Sequence, residues 1–284
     1  MQDFERHAAR MPRQSSTSTA ISLIMPESTA RLSSSLQDLS CGNISGDTHL
    51  ARCMRRLGSS IDQLIRLLGA NFWTPVRQDD LVVAFLGRGM LEACCTALLG
   101  RLDPFRLLVV RMTQSSPDYT LDKRNESAIQ WSGDILAASP PPKGQNLWAQ
   151  PHLKLSRALL ADYSDAIFWQ PAFSLVLDQT PPHRGGQWLA DLRLRESHEF
   201  IPMVRHEFST LYSRCSKSVH IESVIDIDRE SPAEGRTIVH DTLRLVSTLG
   251  FVFWGIDHAP FRPSHESALE ALEEIQKFLK EQEK

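Results

Sequence analysis

Residues 79–102, DDLVVAFLGRGMLEACCTALLGRL, are apolar nearly all the way round a helix. A helix with no polar face has no place at a water boundary, so it belongs at the centre of a larger assembly. Asp79 and Asp80 at its start suit the positive end of the helix dipole. The rest of the chain then has to wrap this segment. The preceding stretch, DTHLARCMRRLGSSIDQLIRLLG, carries apolar residues at Leu50, Met54, Leu57, Ile61, Leu64, Leu67 and Leu68. Steps mostly of three and four put them on one helix face.

Further helices follow. DPFRLLVVRM opens with Asp103 as a cap and Pro104 at the first helical position, although its Val-Val pair also fits a short buried strand. NESAIQWSGDILAA reads as a helix ended by the loop SPPPKGQN. From Pro151 a helix is expected through HLKLSRALLADYSDAIFW, with Leu155, Leu159, Tyr163 and Ile167 on one side. After the loop DQTPPHRGGQ the pattern runs from Trp188 to Val219, with Pro202 predicting a kink or restart near Phe200. RTIVHDTLRLVSTLGFVFW and SHESALEALEEIQKFLKEQEK complete the set, the latter with Ser267 and Glu270 at capping-box spacing. About seven helices with few convincing strands predict an all-α, multi-helix bundle over residues 47–284.

Residues 1–46 read differently. RQSSTSTA and RLSSSLQDLSCGNISGD are rich in Ser, Thr and Gly, with one apolar island, AISLIM. A flexible or loosely docked tail is expected, whose island either binds a protein partner or packs back on the domain.

Charge and cysteine usage narrow the function. A net charge of −3 gives no global attraction to nucleic acid or anionic lipid. The five cysteines, at 41, 53, 94, 95 and 215, form no C-x-x-C and read as reduced thiols of a cytoplasmic protein, with neither a disulfide frame nor a zinc site. The N-terminal residues lack the apolar run of a secretory signal, and LVSTLGFVFWGI is too short to span a bilayer. No membrane partner is expected. There is no phosphate-binding G-x-x-x-x-G-K-[ST], the Gly87-x-Gly89 pair sits inside a helix, and SHEF and RHEF lack the second His of a zincin. Neither a cofactor nor a metal is expected.

One constellation carries chemistry. On a regular helix Phe200, Val204, Phe208, Leu211, Cys215 and Val219 form a buried stripe. His206, Thr210, Ser213, Lys217 and His220 fall opposite, in steps of four and three, with Arg214 beside them. Imidazoles move protons near neutral pH, and Lys and Arg hold phosphate and stabilise its transition state. Attack by a 2′-OH needs only a base, an acid and a cation. The same residues also suit a binding or dimer surface, or the solvated face of an amphipathic helix.

Arg214-x5-His220, late in a helical bundle, resembles the R-x4–6-H motif of HEPN-type proteins, as does Arg193-x4-His198. The likeness covers about residues 150–260. It implies a role in bacterial stress or phage defence, with a homodimer as the usual assembly. In one form such a protein is a regulatory, protein-binding subunit or effector. In the other it is a metal-independent endoribonuclease, with Arg214, His220 and His206 catalytic and Lys217, Ser213 and Thr210 on the RNA.

Overall fold

A computed structural model describes residues 26–72, 80–120, 128–136, 159–219 and 232–282. Ten α-helical segments make up the bundle among them, and no strand occurs there. They are α1 (Glu27–Ser40), α2 (His49–Phe72), α3 (Asp80–Leu102), α4 (Pro104–Gln114), α5 (Asp162–Ser164), α6 (Gln170–Gln179), α7 (Gly186–Leu192), α8 (Ser197–Val219), α9 (Pro232–Phe253) and α10 (His265–Gln282). A π-helical segment, Asp165–Trp169, joins α5 to α6, and a single π-turn, Trp131–Ile135, stands alone. The fold is the all-α bundle that the apolar periodicity predicts.

The nearly featureless helix is the hub. α3 packs against α2, α4, α8 and α9. Val83, Leu86, Met90, Leu91, Cys94, Leu98 and Leu99 point to different sides and are all buried. One stretch of α3, Val82–Leu102, is long and apolar enough to cross a membrane, but most of it is enclosed by the other helices. Close approach depends on small residues. A Cβ on Gly100 would lie 2.6 Å from Leu107 Cδ2 and 2.7 Å from Met54 Cε, so α2 and α4 meet α3 at a point without a side chain. At the end of α3, Arg101 is only 1% exposed. Its guanidinium donates to the carbonyls of Leu39 (3.2 Å), Ser40 (3.3 Å) and Pro260 (3.0 Å) and lies over the Phe253 ring.

The expected tail of residues 1–46 is divided. AISLIM lies outside the described residues, but Glu27–Ser40 is a core helix. Leu32, Leu36 and Leu39 are completely enclosed, and Ser33, Ser35 and Ser40 are buried with them. α1 packs most extensively on α10 and then on α2. Ser33 Oγ donates to Asp62 Oδ1 at 2.8 Å, and Arg31 pairs with Glu274 at 3.0 Å. The serines that suggest disorder serve here as small residues at a tight helix contact.

Other boundaries shift for local reasons. On α2, Met54, Ile61 and Leu68 are buried as expected, with Leu50, Leu57 and Leu64 at the margin and Leu67 exposed. α4 is a helix rather than a strand, capped as its sequence predicts: Asp103 Oδ1 accepts from the Arg106 amide at 3.3 Å. The helix expected in NESAIQWSGDILAA is reduced, over its described part, to the π-turn, where Asp134 Oδ2 accepts from the Gln130 amide at 2.8 Å. The helix expected from Pro151 begins, within the described residues, only at Asp162. The Leu159 and Leu160 amides instead donate to the Asp134 and Ile135 carbonyls.

The pattern from Trp188 to Val219 becomes two helices. The restart at Ser197 lies three residues ahead of the expected place, where Glu199 Oε2 accepts from the Glu196 amide and the Glu199 amide donates to the Glu196 backbone carbonyl, both at 3.0 Å. Pro202 sits in the second turn and α8 continues through it. In the preceding loop Gly185 is left-handed (φ 81°), and a Cβ there would meet Leu189 at 2.4 Å. Gln276 and Glu273 of α10 clamp it, Gln276 donating to the Gly185 carbonyl and Glu273 accepting from the Gly185 amide. α10 itself starts earlier than the spacing suggested: Ser264 is the cap, its Oγ accepting from the Ser267 amide at 3.1 Å.

Because α1 is integral, Leu36→Ala is expected to destabilise the bundle by about 2–5 kcal/mol, the range for enlarging a closed core. Denaturant unfolding checks this; a loss below about 1 kcal/mol would mean that α1 is not part of the core.

Candidate functional site

α8 divides as its sequence predicts. Phe200, Val204, Phe208, Leu211 and Cys215 are buried, and His206, Thr210, Ser213 and Lys217 are exposed on the far side. His220 lies outside the described residues. Arg214 does not point freely outward: its Nη1 donates to Asp241 Oδ2 of α9 at 3.2 Å. His240 Nδ1 lies 3.6 Å from the other oxygen of the same carboxylate. Burial pushes the Asp241 carboxyl up, but the hydrogen bonds from His240 and Arg214 and the charges of Arg244 and Arg214 outweigh it and hold it below the usual range. His240 is half-buried with its ring edge-on to Trp188.

A shared face is not a shared centre. At 1.5 Å per residue, His206 and Lys217 stand about 16 Å apart along the axis, and His206 and Arg214 about 12 Å. One phosphodiester cannot reach both ends of that stripe. Among the described candidates, Thr210, Ser213 and Arg214 lie within about one turn of each other, as do Ser213, Arg214 and Lys217. The flank beside them is fixed to α3. Arg88 donates to the Tyr212 hydroxyl (2.7 Å) and to Glu92 (3.0 Å), and Trp131 stacks on Tyr212 with centroids 4.4 Å apart.

The second motif match is structural at its arginine. Arg193 donates to the Leu177 and Thr180 carbonyls and closes the end of α6. His198 is exposed and faces a charged cluster that sequence spacing does not reveal. Arg205 of α8 pairs with Asp162 and donates to the Leu160 carbonyl, fastening α8 to the start of α5. Beside them Asp165, 8% exposed, opens the π-helical segment and accepts from Gln170 Nε2 at 3.3 Å. Burial raises its carboxyl to about 6; Gln170, Arg205 and His198 oppose the rise and Asp162 adds to it. The signal for this cluster, acids at the first and fourth positions of a helix, is what any helix N-terminus shows.

Two cavities border α8. One of about 490 Å³ lies between α7, α8 and α9, lined by Trp188, Leu192, Met203, Glu207, Arg244 and Thr248 among others. Arg244 and Glu207 are ion-paired across it at 2.9 Å. The other, about 680 Å³, opens between α2, α3 and α4 and includes Leu57, Leu64, Leu67, Val110, Trp131 and Tyr212. None of His206, Thr210, Ser213, Arg214 and Lys217 lines either. All five cysteines are free thiols; four are buried, and burial pushes Cys41 and Cys94 up to about 12, far from a reactive thiolate. No cluster of three or more His, Cys, Asp or Glu suited to a metal occurs among the described residues.

Comparison with protein-family models, with curated proteins and with solved structures gives no match. What the fold and this surface define is therefore a class alone: an all-α bundle built round one buried helix.

Asp165 gives a pH-dependent test. Its folded value is raised, so the stability it contributes is complete below the ordinary carboxyl value and is lost as pH rises through about 6. Asp165→Asn should therefore raise the free energy of unfolding at pH 7.5, by about 1–2 kcal/mol once solvent screening is allowed for, and change it little at pH 4. Thermal melts across pH 4–8 check the sign; equal effects at both ends would remove the carboxyl from the account.

Proposed function

We propose that this chain works by holding another protein, as a regulatory subunit or effector of the bacterial stress and phage-defence kind that its HEPN-like motif suggests. The observation that carries this reading is the Arg214–Asp241 ion pair. The arginine that would clamp a phosphate is tied to the neighbouring helix, and the imidazole described on the same face stands two turns away. The side chains left outward on α8 are spread over a convex surface, which suits contact with a macromolecule better than enclosure of a reacting group. Residues 1–25, with their apolar island, precede α1 in the sequence, and the burial of α1 gives any partner bound there a fixed anchor.

Metal-independent RNA cleavage is the second reading. His206, Thr210, Ser213 and Lys217 on one exposed face favour it, and a partner copy would have to bring a second set of groups to complete a site.

Two measurements separate these. Purified protein with a labelled RNA in EDTA is expected to show no cleavage. Cleavage that His220→Ala abolishes, with the thermal midpoint unchanged, would establish the ribonuclease and overturn the binding reading. Deleting residues 1–25 while keeping α1 is expected to leave the midpoint within a few degrees and to abolish retention of the partner. Retention by the deleted protein would move the contact off those residues.

A further inference from the structure

α4 is amphipathic, and its outer line is apolar where water would favour charge. Phe105 is 64% exposed, Val109 44% and Met112 70%, while Leu107 on the inner side is buried. Steps of four and three place the three within about 60° of arc and about 10 Å of length, two turns of an unbroken apolar ridge. Seven large apolar side chains are exposed among the described residues, and three of them are on this one eleven-residue helix. Such clustering marks a contact surface, whereas single exposed apolar residues do not.

The flank of the ridge is basic. Arg111 turns from α4 toward the start of α2 and meets His49 there. His49, Arg52 and Arg56 continue along α2 in steps of three and four, all exposed, with Arg55 beside them. The carboxylate within ion-pair distance of this group is Asp47, which meets both Arg52 (3.7 Å) and Arg55 (2.9 Å). Arg56 and Arg111 form no ion pair among the described residues. On a chain of net charge −3, this is a local positive edge.

We propose, within the reading of the chain as a protein-binding subunit, that α4 and the first turns of α2 form the docking surface for an acidic, amphipathic helix of a partner protein. Apolar residues of that helix, spaced three and four apart, lie along Phe105, Val109 and Met112. Its carboxylates meet Arg111, Arg52 and Arg56, whose planar forks bind carboxylate in pairs of hydrogen bonds. Phe, Met and Arg are the residues that protein interfaces concentrate. The 680 Å³ groove that Val110 and Leu67 help to line receives one anchoring side chain. Charge sets the orientation and the encounter rate; the ridge holds the complex together. An RNA strand would use the cations but gains little from Val109 and Met112, which offer no ring face for a base.

The probe is a display library of random peptides of about sixteen residues, roughly 24 Å if helical. Selection on the whole chain is expected to enrich net-negative sequences with apolar residues at helical spacing. For the best peptide, Val109→Asp or Met112→Glu should weaken binding at least about tenfold, the loss typical of a central contact. Arg52→Glu with Arg111→Glu should weaken it comparably and remove most of its salt dependence. These positions are exposed or half-exposed, and a melting temperature unchanged in each variant confirms that folding is not at issue. A selected pool with no acidic bias, or a peptide that the variants bind as well as the parent chain does, overturns the proposal. So does binding of a uridine oligonucleotide that depends on Arg52 and Arg111 but not on Met112. The RNA and deletion experiments above leave α4 untouched, so they judge the broader reading independently.

Discussion

The structure turns on a buried cation without a buried anion. The Arg101 guanidinium is enclosed, and no ion pair to it occurs among the described residues. Burial lowers it only to about 10, so it stays charged near neutral pH. What compensates it is backbone. The Leu39 and Ser40 carbonyls are the negative end of α1, and the Pro260 carbonyl comes from the turn ahead of α10. One side chain at the end of the central helix thus fixes where the first described helix stops and where the chain turns toward the last. The neighbourhood is shaped round it. Gly42 is left-handed and packs against the Phe261 carbonyl, which accepts from the Asn43 amide at 2.8 Å. Replacing this arrangement requires both another cap for α1 and another path for the turn.

How far the sequence reveals such a structure depends on the range of the interaction. α3 was legible because being apolar all round has one outcome in water. The α4 cap was legible because Asp-Pro acts within its own turn. α1 was not, since Ser33, Ser35 and Ser40 are polar by composition and small by volume, and only the partner helices decide which property counts. A Cβ on Gly58 would lie 2.9 Å from Gln37 Oε1, so closeness there is a property of two segments together. Capping on α10 shows the same limit within a few residues. Ser264 and Ser267 are both competent caps, and only the first ends the turn that Trp254 holds through its bond to the Pro263 carbonyl.

The polar face of α8 shows why a site is harder to read than a fold. Periodicity gives the direction in which a side chain leaves the axis, and the stripe from His206 to Lys217 was right in that sense. It says nothing of separation along the axis, nor of a carboxylate arriving from a helix that begins later in the chain. Asp241 decides what Arg214 does, and no local signal connects the two. The apolar ridge of α4 was hidden for the opposite reason. Phe105, Val109 and Met112 are of the types that cores use, and only the finished packing shows Leu107 alone turned fully inward.

The close union of α1 with α10 also governs how such a chain emerges. Their mutual surface cannot form until His265 and its successors exist, about 225 residues after Ser40. At ribosomal speeds of about 5–20 residues per second, that is a wait of roughly 11–45 seconds. Through that interval Leu32, Leu36 and Leu39 lack their main neighbour, so the nascent protein displays a greasy helix long before it can hide it. Premature termination anywhere upstream of α10 leaves that helix without its main cover, a target for chaperones and proteases.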